Sequence, residues 1–75
     1  MAIYERVGYN IRHERKKRHM TQKDLAKKLK CSAATISCIE NGSRRCSLAF
    51  IDKIAAAFEM NGIDLIIKRD TQKDK

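Results

Sequence analysis

Few side chains in this sequence could do covalent chemistry, and none stands in a pattern that would let it. Cys31, Cys38 and Cys46 include no Cys-x-x-Cys pair. They fit neither a disulfide framework nor a usual zinc site, and read as reduced thiols. His13 and His19 have no Ser, Cys or carboxylate arrangement around them that would recruit an imidazole to catalysis. The sequence therefore predicts no enzyme, no metal and no cofactor. What remains is hydrogen bonding, apolar contact and charge. Seventeen Lys and Arg against nine Asp and Glu give a formal charge of +8, which favours a polyanionic partner through counterion release. The basic residues concentrate at Arg12, Arg15, Lys16, Lys17 and Arg18 and again at Arg44 and Arg45. Aromatic residues make up only 5%, a poor supply for stacking splayed single-stranded bases, so duplex DNA is favoured over RNA. A basic protein- or membrane-interaction module is the alternative from another class. It is disfavoured because the first helical stretch has no Trp or Phe to anchor it.

The elements that would carry such contacts centre on Thr21 to Asn41, TQKDLAKKLKCSAATISCIEN. Leu25, Ala26 and Leu29 form one apolar stripe at helical spacing, and Ile36 and Ile39 form a second beyond a tight turn. Thr21 is a good N-cap, and Asp24 three positions on completes something close to a capping box. Ser32 caps the second helix, and Asn41-Gly42 stops it. At about 100° per residue, Thr35, Ile36, Ile39 and Glu40 share the inward side of that second helix, leaving Ala33, Ala34, Ser37, Cys38 and Asn41 outward. That outer face is small and uncharged. A helix so clad can enter a major groove about 12 Å wide.

Taken together these residues resemble the helix-turn-helix of the phage repressor and Cro (Xre-like) class. The Thr21-Gln22 opening, Leu25-Ala26 and the closing Ile-x-x-Ile-Glu-Asn-Gly at Ile36 to Gly42 carry the likeness, which extends from about Val7 to Ile63. The resemblance implies that Ala33, Ala34, Ser37 and Cys38 face the groove, with Gln22, Ser32, Asn41, Arg44 and Arg45 on the DNA backbone. It also implies that Arg15 pairs with Glu40 to brace the first helix against the recognition helix, which excludes both from reading DNA. Three departures from the family pattern bear on local geometry. His19 and Lys30 stand at turn positions where the family commonly has glycine, so either the turns differ or left-handed strain is tolerated. Glu14 replaces a usual leucine.

Around this motif, Tyr4, Val7, Gly8 and Ile11 stand at i, i+3, i+4 and i+7, predicting a first helix that runs to His19. Ser47 caps a fourth helix whose Leu48, Ile51, Ile54, Ala55 and Phe58 fall on one face. After Asn61-Gly62, Ile63, Leu65 and Ile67 alternate with Asp64, Ile66 and Lys68, which favours a strand over the fifth helix common in the repressor class. Such a strand would pair with its symmetry mate as an antiparallel ribbon, burying Ile63, Leu65 and Ile67 on the fourth helix, with Ile66 also in the dimerisation segment. The reading is therefore a mainly α, four-helix or five-helix repressor-like domain over residues 1–69, with a C-terminal strand used in dimerisation and a charged, disordered tail over 70–75. It is expected to be cytoplasmic and to repress transcription as a homodimer on a palindromic operator. The alternative within DNA binding is an antitoxin with a toxin partner, favoured by the terminal strand.

Overall fold

The computed structural model describes residues 3–67 of the chain. They form five helices: α1 (Ile3–Lys17), α2 (Gln22–Leu29), α3 (Ala33–Glu40), α4 (Leu48–Ala57) and α5 (Gly62–Ile67). Ile11, Leu25, Ile36, Ile54, Phe58 and Leu65, one or two from each helix or its cap, are fully buried and form the centre of the core. The charged tail expected over residues 70–75 lies outside the described residues.

Local chemistry sets the helix starts. Thr21 Oγ1 accepts from the Asp24 N–H at 2.9 Å, and the Thr21 N–H donates to Asp24 Oδ2 at 2.9 Å. The capping box is complete. Because the Thr21 N–H bond favours its charged form, the Asp24 carboxyl is held below its ordinary value. Ser32 accepts from the Thr35 N–H and Ser47 from the Phe50 N–H, capping α3 and α4 in the same way.

The helix ends depend on left-handed residues, and three are not glycine: His19 (φ 58°), Lys30 (φ 59°) and Glu59 (φ 59°). At each, the next amide reaches back to close the turn, as Met20 N–H does to Arg15 O at 3.1 Å and Cys31 N–H to Ala26 O at 3.0 Å. The chain thus keeps the tight turn geometry and bears the strain, of order 1–2 kcal/mol per residue. This also stops α1 at Lys17, short of the predicted His19. Gly8 is required for a different reason. A Cβ there would lie 2.3 Å from Ile39 O and 2.7 Å from Glu40 O, so α1 crosses the end of α3 at a distance only glycine permits.

The predicted C-terminal strand is not formed: no strand occurs among the described residues, and Gly62–Ile67 is α5. The alternation rested on Asp64 and Lys68 alone, since Ile66 between them is apolar, and a run that short does not distinguish strand from helix. Packing decides it. Leu65 is 0% exposed in the core while Ile63 and Ile67, one helical turn apart, are 58% and 55% exposed. A pleated strand would have put all three on one side. The Leu65 carbonyl accepts from Asn10 Nδ2 of α1 at 2.5 Å, and a helix satisfies its remaining backbone groups internally where a lone strand would leave its edges bare. The ribbon pairing expected through this segment goes with the strand, as does the feature that favoured an antitoxin.

Candidate nucleic-acid interface

Helix α3 is fixed from behind. Ile36 and Ile39 are buried, and Glu40 is 8% exposed beside Arg15 at 7%. Arg15 Nε donates to Glu40 Oε2 at 2.6 Å and Nη2 to Oε1 at 3.0 Å, a bidentate fork, while Nη1 donates to Met20 O at 2.7 Å. The hydrogen bond to Glu40 raises the Arg15 pKa above its already high ordinary value, so the guanidinium stays charged. Gln22 Nε2, at the start of α2, donates to the same Glu40 Oε1 at 3.1 Å. The Arg15–Glu40 pair, with Gln22, thus ties α1, the α1–α2 turn, α2 and α3 together.

This arrangement places the sequence-predicted residues as follows. Ala34 is exposed, and Ser37 and Cys38 are half-buried on α3. Ala33 is half-buried and packs on the core. Thr35, read as inward, is only half-buried, and its hydroxyl lies 3.0 Å from Ser32 Oγ. Ser32 is exposed at the helix N-cap, where backbone amides point outward. Gln22 keeps a second amide hydrogen beyond the one given to Glu40. Asn41 Oδ1 accepts from the Ser43 N–H at 2.9 Å, tightening the turn that presents the following loop. In that loop Arg44 is exposed, and the Arg45 guanidinium sits over the Tyr4 ring of α1, 5.6 Å from its centroid.

Several contacts have no periodic signature in the sequence. Gln22 to Glu40 and Arg45 to Tyr4 join residues far apart in the chain, and neither was foreseen. Glu14, standing where a leucine is usual, is 2% exposed. Its Oε1 accepts from Arg18 Nη1 at 2.6 Å, and Lys17 Nζ lies 3.9 Å away. Arg18 Nη2 donates in turn to Phe58 O at 2.8 Å, with the guanidinium 4.9 Å from the Phe58 ring centroid. The basic cluster of α1 is therefore divided. Arg15 is buried, and Arg18, though exposed, is held by Glu14 and the Phe58 carbonyl, whereas Arg12 and Lys16 are exposed and Lys17 reaches Glu14 only at 3.9 Å.

Cys31 and Cys46 each precede a capping serine, at the position where an apolar side chain staples the chain onto the new helix. Burial pushes the Cys46 thiol up, outweighing the opposing effect of Arg44, so it is a weak nucleophile at neutral pH. Among the described residues no group of three or more His, Cys, Asp and Glu could hold a metal ion. Nor is any of these helices long and apolar enough to cross a membrane.

Comparison with known proteins agrees with this geometry. A helix-turn-helix family model, HTH_3, matches residues 11–65. Among solved structures, the hypothetical transcription factor NHTF from Neisseria superposes with a TM-score of 0.83 at 24% identity, over 88% of this chain and 76% of that one. The restriction-modification controller protein C.AhdI from Aeromonas hydrophila gives 0.78 at 26%, over 83% and 90%. The wild-type restriction-modification controller protein C.Esp1396I gives 0.79 at 28%, over 91% of each chain. No curated protein sequence matches at significance.

Proposed function

This chain belongs to the HTH_3 helix-turn-helix family of DNA-binding transcriptional regulators, and on that premise we propose that it is a sequence-specific repressor that occupies a palindromic operator as a homodimer. The observation that carries this reading is the two-sidedness of α3. Its inner side is locked by Ile36, Ile39 and the Arg15–Glu40 fork, and its outer side shows only small, uncharged side chains. A rigid helix with a low profile can lie deep in a major groove. Ala33, Ala34, Ser37 and Cys38 meet base edges there, alanine methyls against thymine methyls and Ser37 as donor or acceptor. Gln22, Ser32, Asn41, Arg44 and Arg45 hold phosphates, which sets register without reading sequence.

A single eight-residue helix spans too few base pairs for a specific site, and this fold class solves the problem by two-fold symmetry, with half-sites about 34–36 Å apart. The exposed Ile63 and Ile67 of α5 supply an apolar surface for a second copy. Leu48, 70% exposed, stands one turn before Asp52, against which the start of α5 is seated at Gly62. The dimer surface is thus a helical face rather than a strand edge. Selection of bound sequences from random duplex DNA, with sedimentation of the free protein, tests both parts. A two-fold symmetric site and a concentration-dependent dimer are expected. Indifference to sequence, or a monomer at high micromolar concentration, would sink the reading.

A second reading, supported by the likeness to C.AhdI and C.Esp1396I, is control of a restriction-modification gene pair. A selected site lying upstream of such genes, with expression that changes when the protein is supplied, would favour it.

A further inference from the structure

Between the inner edge of α3 and the start of α4 lies a cavity of about 420 Å³. Its floor is apolar. Ile39 and Cys46 are buried there, and Cys31 and Phe50 are half-buried. Its rim is polar and cationic, formed by Arg44, Arg45, the Ser47 hydroxyl and Thr35. An apolar hollow of a few hundred Å³ with a small number of convergent polar groups is the usual form of a small-molecule site. A DNA phosphate can use the guanidinium rim, but it has nothing apolar to place on the Phe50 and Ile39 floor. Among the described residues, neither arginine forms a salt bridge to a carboxylate.

We infer that this cavity is an effector site for a small carboxylate carrying a compact aromatic or branched apolar body, and that its occupancy releases DNA. The carboxylate meets guanidinium in the paired geometry that planar fork favours, and the body covers the floor. Release follows from shared residues. Arg44 and Arg45 are the loop cations assigned above to the DNA backbone, and Thr35 and Ile39 belong to α3 itself. A bound anion therefore neutralises phosphate-binding charge and fills the space beside the recognition helix at the same time. The release step rests on the proposed DNA binding; occupancy of the cavity does not.

The probe is benzoate, with benzyl alcohol supplying the ring without the charge and inorganic phosphate the charge without the ring. Amide shifts of the full chain are followed by NMR, and operator affinity is measured at matched ionic strength. Benzoate is expected to give saturable shifts at Cys31, Thr35, Phe50 and the Arg44–Ser47 loop. It should weaken operator binding by about tenfold beyond equimolar chloride, a typical coupling between linked sites. Neither control should do so. Cys31→Leu, which narrows the floor and replaces no residue assigned to DNA, should retain operator binding and lose the benzoate response. Non-saturable shifts, shifts centred elsewhere, or weakening no greater than chloride gives would each overturn the inference, as would a full response in Cys31→Leu. Operator binding without benzoate is measured first. Its absence refutes the proposed function, whereas a DNA-binding protein indifferent to benzoate refutes only the effector site.

Discussion

Glu40→Ala removes the acceptor of three hydrogen bonds, two from Arg15 and one from Gln22. Arg15, 7% exposed, is left with the Met20 carbonyl alone for its guanidinium. Stranding one member of a buried ion pair costs about 3–5 kcal/mol. A 75-residue chain at roughly 0.05–0.15 kcal/mol per residue has about 4–11 kcal/mol of stability in all. The variant should therefore lose about a quarter of its stability or more. At about 4–8 °C per kcal/mol for a domain of this size, Tm falls by at least roughly 12 °C. The double variant Arg15→Met/Glu40→Leu separates stranded charge from lost packing, because replacing both ions by apolar groups of similar volume is often neutral or better. It should recover most of the loss. Thermal unfolding followed by far-UV circular dichroism gives the stabilities, and duplex binding well below each Tm gives the affinities. A Glu40→Ala protein that unfolds with the parent yet fails to bind DNA would refute the reasoning and move Glu40 from brace to contact. A double variant no better than Glu40→Ala would show that packing, not charge, dominates the site.

Arg44→Ala should weaken all duplexes alike and lower the salt slope by about one, whereas Cys38→Phe should change which sequences bind; selection experiments on both would expose a wrong division if their effects on preference were equal. Ile63→Lys should leave Tm nearly unchanged, since the side chain is 58% exposed, but should shift sedimentation toward monomer and reduce operator affinity. Leu65→Lys, at 0% exposure, should instead unfold the domain, and equal behaviour of the two would contradict the α5 assignment. Lys30→Gly should raise stability by about 0.5–1 kcal/mol, the relief of left-handed strain less the added freedom of the unfolded chain; a lower Tm would show that the strain is absent. The Asp24 carboxyl titrates below its ordinary 3.8 in the folded state. Its contribution is therefore present above the unfolded value and lost as pH falls through the folded one. The Tm difference between parent and Asp24→Ala should accordingly hold at neutral pH and vanish in strong acid, which a pH series of melts would check.

The sequence by itself determined what depends on neighbours within a turn of helix. Thr21 with Asp24, Ser32 and Ser47 announced three helix starts because a cap and its amide are only two or three residues apart. The stripes of α2, α3 and α4 were legible because burial at 3.6 residues per turn leaves a period in the letters, although Leu48, read as part of the α4 stripe, is 70% exposed. The helix-turn-helix resemblance located α3 and suggested that Glu40 points inward to Arg15. The tertiary structure decided everything that turns on distant partners. The form of residues 62–67 hung on whether α1 and α4 left a slot for Leu65, and periodicity in so short an apolar run could not say. Whether His19 and Lys30 would bend the turns or endure them was settled by helices on either side that fix where the chain must re-enter. Glu14 looked like a defect in an apolar stripe until Arg18 and the Phe58 carbonyl were brought beside it. Gln22 reads locally as a surface amide, and only the approach of α2 to the end of α3 makes it a partner of Glu40. In each case the energy that decides lies in a contact between residues far apart in sequence, and it exists only once the core has closed.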